Sequence, residues 1–154
     1  LDMVVTWAAL ESMAAHMAAD SASDADLRAL RKFALSHNAT ASRGELSQYS
    51  DANIKFHLAI FDLSGSALLK SNAESLLAHM YAVRRRAMGE NDRATHSVAD
   101  HMEIIDSLDA RDSDLASQLV REHTMRLHDH IRDKWSVLEN MSPPKGGRPN
   151  VSTG

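Results

Sequence analysis

From Met3 to Met141 apolar residues recur at intervals of three and four, and they never alternate with period two for long. Helices are therefore the predicted elements throughout. The first runs from about Met3 to Ala19, with Leu10, Met13, Ala14 and Met17 as its apolar stripe. Ser23, with Asp26 three residues on, forms a capped start for the second, whose stripe of Leu27, Leu30, Phe33 and Ala34 ends near His37 and Asn38. The third occupies about Leu46 to Leu63 and closes at Ser64-Gly65. The fourth spans Ala67 to Met88, the fifth Thr95 to Leu108, and the sixth Ser113 to Asn140 behind Asp112 as its N-cap. Short polar connections between long helices favour antiparallel neighbours. The fold class is all-α: an antiparallel bundle of six or seven helices with a central pocket for a metal or effector. That domain covers residues 1–141. The segment Ser142 to Gly154 holds all three prolines and almost no apolar residue to bury, and it reads as a flexible tail.

Three of these stripes carry a histidine where an apolar residue is expected. The sixth helix turns inward at Ala116, Val120, His123, Leu127 and Ile131, and the fifth at Val98, His101, Ile105 and Leu108. In the third, Tyr49, Asn53, His57 and Ile60 share one face, so Asn53 and His57 are i, i+4 neighbours able to share one ion. The other histidines lie elsewhere. His16 and His79 sit beside their stripes, His37 and His96 lie near helix ends, and His128 and His130 flank Leu127 and Ile131. A single inward histidine is usually satisfied by a backbone carbonyl. Three on three helices cost desolvation three times over, and one divalent cation satisfies them together.

Composition narrows the chemistry. The 154 residues contain no cysteine, which excludes disulfides, thiolate catalysis and Cys-ligated zinc, and leaves imidazole, carboxylate, amide and water as donors. That set suits Zn, Ni, Mn, Co or Fe. With 21 Asp and Glu against 17 Lys and Arg, the net charge of -4 lacks the basic footprint that phosphate backbones require. Any service to DNA is indirect. No run approaches the roughly 18 apolar residues of a membrane span and no signal peptide opens the chain, so no membrane association and a cytoplasmic location are expected. The start at Leu1, already helical in pattern, reads as part of a longer protein.

The stretch NIKFHLAIFDLSGSALL resembles the D/N-x-x-F-H-x-x-[IL] segment and Ser-Gly turn of the FCD domain, the effector-binding domain of FadR-type GntR-family transcription regulators. DHMEIIDSLDARDSDLASQLVREH is similar to that family's H-x-x-I-[IL] helix, Asp turn and A-x-x-x-[MV]-x-x-H helix, and WAALESMAAHMAADSASDADLRAL to its opening R-x-x-L-E-x-x-A-A. The resemblance covers about Leu1 to Leu138 and implies a metal site of Asn53, His57, His101 and His123, the histidines that periodicity also selects. It further implies a homodimer, a small carboxylate effector, and DNA contacts only through an N-terminal winged-helix domain absent from this chain. Three departures stand out. Asn53 is neutral where Asp is common, Trp7 replaces the opening Arg, and Ser66 follows the Ser-Gly turn where Asn is frequent.

An anionic effector needs a cation, and Arg84, which continues the stripe of Leu77, Met80 and Tyr81, is chosen from the run Arg84-Arg85-Arg86 as its binding residue. The same run also suits a solvated helix C-terminus. The divalent ion is Zn, Ni or Mn. The expected function is non-enzymatic sensing. A metal-dependent HD-like phosphohydrolase is the alternative, because His128-Asp129 is an HD pair and Asp100-His101 nearly another, although the inward positions supply three His and an amide with no evident general base. A carboxylate-bridged diiron bundle needs paired Glu-x-x-His motifs, and the sequence has none.

Overall fold

A computed structural model describes the backbone of residues 1–42, 45–87 and 91–141 and the side chains of 1–38, 45, 48–82 and 96–134. Six helices make up its described part: α1 (Asp2–Ser21), α2 (Asp24–Ser42), α3 (Leu46–Leu63), α4 (Ala67–Ala87), α5 (Asn91–Asp109) and α6 (Ser113–Met141). The all-α bundle expected from periodicity is thus the fold. The tail from Ser142 lies outside the described residues. None of the described helices is long and apolar enough to cross a membrane.

Local signals set several of the helix ends. Ser23 and Asp26 form a reciprocal capping box before α2: Asp26 N–H donates to Ser23 Oγ at 3.1 Å and Ser23 N–H to Asp26 Oδ2 at 3.3 Å. Asp112 caps α6 by accepting from Leu115 N–H at 3.0 Å. Gly65 ends α3 with φ 67°, and a Cβ there would meet nothing within 4 Å, so backbone conformation alone calls for glycine. Two helices outrun expectation. α2 continues to Ser42 and α5 begins at Asn91, because the polar residues that blur their apolar stripes do not break a helix.

α1 is packed most extensively against α6, with α3 and α4 also in contact. Its buried face is Val4, Trp7, Ala8, Glu11, Ala14, Ala15, Ala18 and Ala19. Five alanines there let neighbouring helices approach closely. Met13, expected in the stripe, is 52% exposed: the true face lies one position round from the series of large residues. Trp7 fills the space beside the alanines, edge-on to Phe61 of α3 at 5.3 Å between centroids.

The α5–α6 turn has the hydrogen bonds of a Schellman motif, with Arg111 N–H donating to Leu108 O at 3.0 Å and Asp112 N–H to Ser107 O at 3.0 Å. Such a turn favours glycine, yet Arg111 occupies the left-handed position at φ 59°. Its side chain supplies the reason. The guanidinium donates to Ala19 O at 3.1 Å and to Ala22 O, carbonyls at the C-terminal end of α1, and binds Asp24 Oδ1 at 2.5 Å. Arg111→Ala keeps the strained backbone and loses these bonds, and is expected to cost about 1–3 kcal/mol in urea denaturation. Arg111→Gly relieves the strain and should cost about 1 kcal/mol less than alanine. An alanine variant as stable as wild type would remove this role from the guanidinium.

Candidate metal centre

His57, His101 and His123 come from α3, α5 and α6 and meet inside the bundle. They are 0%, 2% and 2% exposed, and one ring nitrogen of each lies within 4.8 Å of the others. Ring centroids are 5.2 Å apart for His57–His101, 5.1 Å for His57–His123 and 4.9 Å for His101–His123. Phe56 stacks on His101 at 4.0 Å and presents its edge relation to His57 at 5.6 Å, which fixes both rings from one side. Asn53 is buried beside them, its Nδ2 donating to Ser97 Oγ at 2.9 Å and lying 3.3 Å from His101 Nε2. Three buried imidazoles at this separation could hold one metal ion.

Two carboxylates stand behind the rings. Glu11 Oε1 meets His57 Nδ1, while its Oε2 accepts from Trp7 Nε1 at 2.8 Å and Thr124 Oγ1 at 3.1 Å. Asp100 Oδ2 lies 2.8 Å from His123 Nδ1 and 2.9 Å from Arg126. Partial burial alone would raise the Asp100 carboxyl, but the hydrogen bond and charge of His123, with Arg126 behind them, outweigh it and hold the group below the usual range. A carboxylate oxygen beside Nδ1 accepts a hydrogen bond from the imidazole proton there, which would leave Nε2 of His57 and His123 free to ligate an ion.

The family model for the FCD domain matches residues 2–126. The chain belongs to the FCD domain family. The family resemblance read from the sequence segments therefore holds over most of the chain. No curated protein matches it by sequence. Among solved structures, E. coli McbR/YncC is similar with a TM-score of 0.77 at 18% identity, over 86% of this chain and 67% of that one. That likeness shows a shared FCD fold.

Beside the histidines of this FCD domain lies a cavity of about 390 Å³ between α5 and α6, lined by His96, Ser97, Asp100, His123 and Arg126. Among the described residues, it shares His123 with the histidine cluster. The structure brings Asn53, His57, His101 and His123 together as the sequence expects; the side chain of Arg84, on α4, lies outside the described ones. Periodicity missed Glu11, Asp100 and Arg126. A signal existed for Glu11 alone: it interrupts the alanine-rich face of α1 one turn after Trp7. The HD pair lies apart from the cluster, with His128 Nδ1 3.1 Å from an Asp129 carboxylate that is 52% exposed.

Proposed function

We propose that this chain is the effector-sensing domain of a GntR-family, FadR-subfamily transcription regulator, acting in the cytoplasm as a homodimer. The effector is a small organic acid, and DNA is bound by a winged-helix domain outside this sequence. The observation that carries the reading is the convergence of His57, His101 and His123 from three helices next to a cavity. Those residues with Asn53 would hold Zn, Ni or Mn, which would supply a Lewis-acidic position for a carboxylate oxygen. Arg126 lines the cavity and offers its guanidinium to the same anion, sharing with Arg84 the cationic role. Sensing then requires only that the acid bind two states of the dimer with different affinity. The phosphohydrolase alternative loses support because the His57, His101 and His123 group does not include its HD pair, whose Asp129 is 52% exposed.

Metal analysis and thermal shift test this reading together. The purified chain is expected to bind one Zn, Ni or Mn ion per monomer. A panel of small carboxylates should then stabilise the loaded protein, by about 2.7 kcal/mol for an acid at a hundred times its Kd. Absence of stoichiometric metal after incubation with all three ions would defeat the site. Steady hydrolysis of a phosphoester would replace the sensor with the enzyme.

A further inference from the structure

The groups that would hold the ion, three imidazoles and the Asn53 amide through Oδ1, are neutral donors, yet the surroundings are not. Glu11 is 0% exposed, and a carboxylate at that depth is strongly unfavourable unless charge and hydrogen bonds compensate it. Its partners come from three helices: Trp7 of α1 and Thr124 of α6 both donate to Oε2, while Oε1 faces His57 of α3. A glutamine would present an N–H donor to His57 Nδ1 in place of an acceptor, so donors on both oxygens call for a carboxylate. Asp100 repeats the arrangement on His123, at a partly exposed position on α5. The negative charge thus lies one hydrogen bond behind two of the three rings, and two carboxylates balance one divalent ion.

We propose that Glu11 is a positioning residue of the metal centre, supplying together with Asp100 the two negative charges that its neutral donors lack and holding His57 with Nε2 toward the ion. This rests on the metal reading given above. A carboxylate bound to Nδ1 fixes the tautomer, prevents ring rotation and strengthens the imidazole as a donor, effects that usually reach 10–100-fold in metal affinity. Glu11 also carries charge that the neutral Asn53, one turn before His57, does not provide.

Glu11→Gln keeps the shape of the side chain and an acceptor for Trp7 and Thr124. Zn affinity, read by competition with a chromophoric chelator, is expected to fall by about 10–100-fold. In the metal-free chain, ¹⁵N spectra of His57 should show the proton held on Nδ1 in wild type and redistributed in the variant. Trp7→Phe removes a hydrogen bond from the same carboxylate and is the structural control: its melting temperature should drop while Zn affinity stays within about twofold of wild type. If Glu11→Gln does not fold, Asp100→Asn, at the partly exposed carboxylate, carries the affinity test with the same expected loss. Equal Zn affinity in wild type and the carboxamide variant overturns the proposal while the metal site stands. A wild-type chain that binds no Zn, Ni or Mn overturns both.

Discussion

His123→Ala is expected to weaken Zn binding by roughly 10²–10³-fold. Apparent binding free energies of four-ligand structural zinc sites are about 10–16 kcal/mol, so one ligand in four accounts for about 2.5–4 kcal/mol, and each 1.4 kcal/mol is a factor of ten. His123 is the most telling of the three ligand candidates because it belongs to both the ring cluster and the cavity wall. Its removal also frees Asp100 Oδ2 from a 2.8 Å contact, leaving that carboxylate to Arg126 at 2.9 Å. Misfolding is not expected to be the cause of the loss, since Asp100 keeps a charged partner. His128→Ala, five residues on, provides the control: that ring pairs with a half-exposed Asp129, and its loss should leave Zn affinity within about twofold. Chelator competition on both variants decides the matter. Binding by the His123 variant within threefold of wild type would remove this residue from the centre.

Why these histidines were legible in the sequence, and the groups around them were not, follows from what periodicity measures. His101 and His123 stand in series of larger apolar residues such as Val120, Leu127, Ile105 and Leu108, where an imidazole is conspicuous. The same logic located Asn53 through its spacing to His57. Glu11 substitutes into a stripe in the same way, but the stripe is built largely of alanines, whose weak hydropathy let Leu10, Met13 and Met17 draw the apparent face about 100° around the helix. Asp100 and Arg126 flank their stripes and become partners only when α5 packs on α6, a relation that no single-helix pattern contains. Arg111 was hidden for another reason: turn chemistry assigns its backbone position to glycine, and the compensating carbonyls lie some ninety residues away at the end of α1. Bundle architecture, the α3 bounds and both caps, by contrast, depend on neighbours in sequence. Those were read correctly for that reason.

Glu11→Ala should be the most destabilising of the substitutions considered, at about 3–5 kcal/mol. Alanine takes away the acceptor for Trp7 Nε1, Thr124 Oγ1 and His57 Nδ1 at once, and each donor is buried. An orphaned buried donor costs about 1–3 kcal/mol, and the emptied volume beside Trp7 adds a cavity. For a chain of this length the midpoint of thermal unfolding should fall on the order of 10 °C. Much of that penalty belongs to groups left behind rather than to the carboxylate itself, and a double-mutant cycle separates the two. With His57→Ala alongside, the second loss should be smaller than the first by about 1–3 kcal/mol, because the imidazole that needed Glu11 is gone. Strict additivity would show that the pair is not coupled. A cost below about 1 kcal/mol for Glu11→Ala alone would show that α1, α3 and α6 are not joined through this carboxylate.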